Sequence, residues 1–182
     1  MRVLLFRPKP HRATIGLHSV MICEPLELMT LAAVLRVNGH IVEIVDMILE
    51  RRPLEYFIKL HQPDLVGITG YISHIGVMKD YARRIKKTGS DIKVCVGGVH
   101  ATVCPDDFEC ADIDHICQSA EELYRITGCT DLTPRLPERN LPKRYTDKYY
   151  YLFQTRCALI KTSYGCPYSC TFCFCKEIAP YS

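Results

Sequence analysis

The chain has 182 residues, 48% of them hydrophobic and 24% charged, with a formal net charge of +3. That balance describes a globular protein, long enough for one full domain and the opening of another, with a core that needs no staples. So small a charge, with no basic run interleaved with aromatics, excludes a nucleic-acid platform, and no apolar run approaches the roughly 18 residues of a membrane span.

The N-terminus, MRVLLFRPKPHR, reads as a strand and a turn rather than a signal peptide, so a cytoplasmic protein is expected. VLLF (residues 3–6) is the first strand, and RPKPHRATIG is a loop rich in turn formers and positive charge. From residue 25 to 37, Leu28, Leu31, Ala32 and Leu35 fall on one helical face, with Pro25 at the start and Asn38-Gly39 as the stop. IVEIVD (41–46) is the second strand, with a helix over 54–61. DLVGITG (64–70) is the third strand, with a helix over 74–87 and Gly89 just past its end. DIKVCVGG is the fourth, and its continuous apolar run predicts burial on both faces. HICQS and AEELYRI give a short fifth strand and a helix closed by Gly128.

Alternating strands and helices predict a doubly wound α/β domain of flavodoxin or Rossmann type, with a parallel five-stranded sheet over residues 1–128. Ligands of such sheets bind beyond the carboxyl ends of the strands, which singles out the loops at residues 7–16, 69–74, 97–102 and 118–122. Gly97-Gly98 either lets a bulky ligand approach the backbone or makes a tight strand-to-helix turn. The G-x-G-x-x-G fingerprint is missing after the first strand, which argues against NAD or FAD. Residues 129–150, with three prolines between 131 and 150 and many charges, read as a connector running over the surface. A second domain is expected from residue 151, with CALIKTSYG (157–165) as its first strand.

The chain has eleven cysteines, which in a reducing compartment are not a disulfide framework. Cys95 fits a buried strand, and Cys23, Cys104, Cys110, Cys117, Cys129 and Cys157 are scattered without ligand spacing. SYGCPYSCTFCFC is different: Cys166, Cys170 and Cys173 stand as C-x3-C-x2-C, with Cys175 two residues on. Soft thiolates select zinc, copper(I) or an iron–sulfur cluster. Structural zinc prefers two separated pairs of ligands, whereas three thiolates on a cubane cluster leave one iron open. The spacing alone leaves zinc and an accidental run as alternatives.

With Phe172 before its last cysteine, this motif resembles that of the radical S-adenosylmethionine (SAM) enzymes. EPLELMTLAAVLRVNGHIVEIVD, DLVGITGYIS, VCVGGVHATVCPDDF and DHICQSAEE resemble the cobalamin-binding domain of the B12-dependent members of that family. The resemblance implies that Cys166, Cys170 and Cys173 hold a 4Fe–4S cluster whose open iron chelates SAM, with Cys175 a bystander. It implies that Thr69, Tyr71, Ser73, Gly97, Gly98, His100 and Thr102 line the corrinoid, and that a reduced ferredoxin or flavodoxin supplies the electron. Methyl transfer to an unactivated atom is one reaction such enzymes perform, and no catalytic residue is singled out. The D-x-H-x-x-G motif of other corrinoid proteins is missing, so His11 and His74 are read as solvent-facing loop residues. Gln118-Ser-Ala-Glu-Glu122 stands where relatives have G-E-G-E. On this reading residues 151–182 are the start of an incomplete (β/α) barrel, and the chain is the N-terminal portion of a longer enzyme. Two alternatives stay open: a catalytically inactive corrinoid-binding module with a vestigial cysteine loop, and a ligand-free α/β interaction domain with a zinc loop.

Overall fold

Strand β1 (Arg2–Arg7) shows how the sheet is built. Val3 and Leu5 face one side and Leu4 and Phe6 the other, and all four are buried. Each such buried side chain contributes about 1.5–3 kcal/mol. In this computed structural model, which describes residues 1–11, 13–14, 20–168 and 170–175, both faces of the sheet are covered by helices. On the Val3 side lie α1 (Leu26–Val37) and α5 (Ala120–Thr127), contributing Leu28, Met29, Ala32, Leu35, Leu123 and Tyr124. On the Phe6 side lie α2 (Leu54–His61) and α3 (Ile75–Thr88), contributing Phe57, Ile58, Met78, Tyr81 and Ile85.

Strands β3 (Ile41–Asp46), β4 (Leu65–Thr69), β5 (Lys93–Gly97) and β6 (His115–Ile116) join β1 in one parallel sheet of order β3-β1-β4-β5-β6. This is the expected doubly wound architecture, with the winding direction reversing between β1 and β4. Gly67 sits opposite Leu5 in the β1–β4 ladder, and a Cβ there would come within 2.8 Å of Leu5 Cδ2. The glycine makes room for a core leucine.

Four features differ from the sequence reading. A short helix, α4 (Val99–Val103), and a 3-10 turn (Pro105–Phe108) follow β5 directly. A second, antiparallel sheet joins β2 (Met21–Ile22), β7 (Tyr150–Tyr151) and β8 (Gln154–Thr155), tying the hairpin at 150–155 to the first domain. Residues 129–150 are not an open connector, for Tyr145 and Tyr149 are 0% and 2% exposed and pack with Ile22. Residues 157–165 form no strand: the Leu159 N–H bonds to the Glu24 carboxylate and its carbonyl accepts from Arg139, so no neighbouring strand satisfies them. Positions 12, 15 and 16 of the first loop and residues 176–182 lie outside the described residues. No helix among the described residues is long and apolar enough to cross a membrane.

Candidate functional site

At the carboxyl edge of the sheet the loops after β4, β5 and β6 are laced together. Thr69 pairs with Gly97, and the Gly70 N–H points to the Gly97 carbonyl at 3.4 Å. Gly98 has φ of +96°, and a Cβ on it would meet Thr69 Oγ1 at 2.6 Å and the Gly70 backbone at 2.9 Å. The tight-turn reading of this glycine therefore holds by itself, since the protein's own backbone demands it. Thr102 Oγ1 donates to the Gln118 carbonyl at 2.8 Å, and Glu122 accepts the Gln118 N–H at 2.7 Å. That last bond closes the loop that in the resembling family carries glycines.

Beside this lattice Tyr71 and Ile72 are 60% and 71% exposed, with the Tyr71 ring tilted against that of His74 at 6.2 Å. His74 is half-buried instead of facing solvent, and the Tyr71 N–H and Ser73 hydroxyl each lie 3.2 Å from its Nδ1. Thr69, Gly97, Gly98 and Thr102 thus converge, Tyr71 flanks them, and Ser73 supports the turn. His100 departs from the expectation of a loop-lining residue: it is 7% exposed, lies edge-on to Phe108, and meets Asp107 Oδ2 at 2.7 Å through Nε2. A short helix begins at Val99, and that turns its imidazole under the loop.

On the other side of the switch point Asp46 ends β3, fully buried. Burial pushes its carboxyl up, opposed by the Arg7 guanidinium at 3.2 Å, the Ile48 N–H at 3.1 Å and the Tyr149 hydroxyl at 3.3 Å. Arg7 also donates to the Cys23 carbonyl, and the Tyr145 hydroxyl donates to Glu50 at 2.7 Å. Tyr149 is pushed up by burial and by the Asp46 carboxylate, so its hydroxyl stays a donor. Two tyrosines of the predicted connector are thereby fastened to the carboxyl end of β3 and the segment that follows it.

The cysteine loop leaves this edge through residues 157–165. Cys170 is exposed, while Cys166, Cys173 and Cys175 are half-buried. The Cys173 N–H donates to the Cys170 carbonyl at 3.1 Å, a turn that carries both thiols. Hydrogen bonds from the Cys175 backbone and thiol hold Cys173 below the usual thiol range. Cys175 is pushed up, first by that bond to Cys173, with the charges of Cys166 and Cys170 contributing. The three motif cysteines do not come as close as ligands of one ion, whose atoms fall within 4.8 Å of one another. Cubane thiolates bind separate irons and stand farther apart, so their spread does not count against a cluster.

Of the other cysteines, Cys95 and Cys117 are buried and Cys104 is exposed. Cys104 joins His100 and Asp107 in a group whose ligand atoms all lie within 4.8 Å, found nowhere else among the described residues. The sequence signal was H-x3-C-x2-D, legible only once a helical turn followed by a 3-10 turn is known.

Fold and edge together define a doubly wound α/β domain whose β4, β5 and β6 loops are laced together at the carboxyl edge of the sheet. The chain belongs to the B12-binding domain family, whose model matches residues 12–125. A protein of Pyrococcus horikoshii named as an uncharacterized methyltransferase is 27% identical over 184 aligned positions, covering 82% of this chain and 40% of that one. The chain therefore spans about two-fifths of the length of this curated relative. Two structures of the cobalamin-dependent SAM radical enzyme OxsB, one with aqua-cobalamin and SAM bound and one with aqua-cobalamin, share the fold. They superpose with TM-scores of 0.54 at 17% and 18% identity, over 72% of this chain and 19% of theirs. A cobalamin-binding protein from Desulfitobacterium hafniense DCB-2 aligns with a TM-score of 0.48 at 18% identity, over 70% of this chain and 57% of its own.

Proposed function

We propose that this chain is the cobalamin-binding part of a B12-dependent radical SAM enzyme. Residues 1–128 are the corrinoid domain, 129–150 connect, and 151–182 belong to the radical SAM domain. The observation that carries the reading is the laced edge of Thr69, Gly97, Gly98 and Thr102 within a B12-binding domain, followed by C-x3-C-x2-C.

The residues present fit both cofactors. Gly98 offers bare, exposed backbone, and Tyr71 and Ile72 offer largely exposed apolar surface of the kind that cofactor sites bury. Cys166, Cys170 and Cys173 are three free thiols that solvent can reach, in the spacing a cluster takes. Bound together, the cofactors would supply one-electron cleavage of SAM and methyl transfer through cobalt. The chain's own part is to hold the loops still. Gly98 packs on Thr69, Thr102 ties β5 to the β6 loop, and Asp46 with Tyr149 anchors the approach to the cysteines. Phe153, Ile160, Tyr168 and Phe172 are 73–98% exposed, surface of the kind a barrel would cover. The likeness to a methyltransferase favours methyl transfer as the reaction class. The electron would come from a reduced ferredoxin or flavodoxin.

Anaerobic reconstitution of the full chain with iron, sulfide and hydroxocobalamin tests this. About four irons and four sulfides per chain are expected, with one equivalent of cobalamin. Replacing Cys166, Cys170 and Cys173 by Ala should abolish the iron and leave the cobalamin. Bound cobalamin with only trace iron would mean a corrinoid module with a vestigial cysteine loop. Zinc in place of iron, without cobalamin, would mean an interaction domain with a zinc loop.

A further inference from the structure

The group beneath the β5 loop has no part in that scheme. His100 stands on α4, and Cys104 lies one turn on, its N–H donating to the His100 carbonyl at 2.8 Å. Pro105 then opens the 3-10 turn that brings Asp107 back to 2.7 Å from His100 Nε2. A backbone path of two successive turns therefore fixes the convergence, rather than a chance meeting of surface side chains. The His100–Asp107 hydrogen bond accounts for two of the three groups. Cys104 is left as an exposed thiol whose sulfur completes a triangle within 4.8 Å.

We propose that His100, Cys104 and Asp107 bind a single divalent metal ion of borderline softness, zinc above all. One imidazole, one thiolate and one carboxylate are a donor set zinc accepts, and three protein ligands leave a fourth position for water. The burial suits this arrangement. His100 is held from below, while Cys104 and Asp107 open to solvent and give the ion a way in. Ligands about 2.0–2.1 Å from a tetrahedral ion stand about 3.3 Å apart, so Asp107 must retreat by roughly 0.6 Å from its present 2.7 Å. Its side chain is 55% exposed and free to do so. On binding, the Cys104 thiol gives its proton to solvent, and the proton shared between His100 Nε2 and Asp107 is released, so that the imidazole is left protonated on Nδ1 alone. Nε2 and the carboxylate donate lone pairs, and no redox change occurs. The ion would staple α4 to the Pro105–Phe108 turn under the loop that carries Gly98. The proposal does not depend on the cofactor assignment above.

The test uses the full chain with Cys166, Cys170, Cys173 and Cys175 replaced by Ala, which silences the competing thiols, and cobalt(II) and zinc(II) as probes. One equivalent of cobalt(II) should give tetrahedral visible absorption with a thiolate charge-transfer band. Cys104→Ser should remove that band and Asp107→Ala should abolish stoichiometric binding, with circular dichroism unchanged because both positions are exposed. In the wild-type chain zinc should protect Cys104 from alkylation, read by peptide mass spectrometry. Absence of stoichiometric binding, or binding that both variants leave intact, or alkylation of Cys104 at the same rate with and without zinc, overturns the proposal.

Discussion

Gly98 carries a φ of +96° with Thr69 Oγ1 and the Gly70 backbone directly beneath it, so no side chain fits there. Gly98→Ala should cost about 1–3 kcal/mol, read as a lower urea midpoint, and should loosen any ligand held by the same loop. Asp114 gives a second residue-scale prediction. Burial pushes its carboxyl up, but the Lys86 ammonium at 2.7 Å and the Val94 N–H at 2.7 Å outweigh it and hold the group below 3.8. A depressed folded value means that the stabilisation is present above 3.8 and is lost as pH falls through the folded value. Asp114→Asn should therefore cost about 1–2 kcal/mol near neutrality and progressively less below pH 3.8, followed by urea melts across that range. At this scale the sequence was partly legible. Gly97-Gly98 stood out as a pair, whereas the burial of His100 and the capping role of His74 depend on turns that no local pattern announces.

Among the elements, residues 129–150 depart most from expectation. Charges and prolines without periodicity read as an exposed connector, and most of the segment does lie at the surface. Two aromatics four residues apart on a 3-10 turn (Lys143–Lys148) and just after it nonetheless reach the core edge, where Asp46 and Glu50 receive their hydroxyls. Tyr149→Phe should cost about 1 kcal/mol and speed proteolytic cutting between residues 131 and 150. Tyr145→Ala should cost about 3–5 kcal/mol in a thermal or urea melt, through the cavity it leaves. The main helices and parallel strands were legible because they are long and periodic. Residues 157–165 have the apolar pattern of a strand, but the Leu159 backbone is satisfied by the Glu24 and Arg139 side chains rather than by a neighbouring strand, and a sequence pattern cannot supply a strand partner.

For the whole molecule, the strand order β3-β1-β4-β5-β6 matters most, because it places the loops of β1 and β4 on either side of the switch point and the β5 loop next to them. Alternating βα units with right-handed crossovers make a parallel sheet covered by helices on both faces, which is why the fold class was readable in the sequence while the strand order was not. The cofactor assignment rests on the meeting of that edge with the cysteine spacing. Its most direct test is a spectroscopic titration of the purified full chain with hydroxocobalamin, followed by gel filtration. The account predicts one equivalent retained by the folded chain, with retention weakened by Gly98→Ala and unaffected by loss of Cys166, Cys170 and Cys173. A folded chain that emerges from the column free of cobalamin would contradict it.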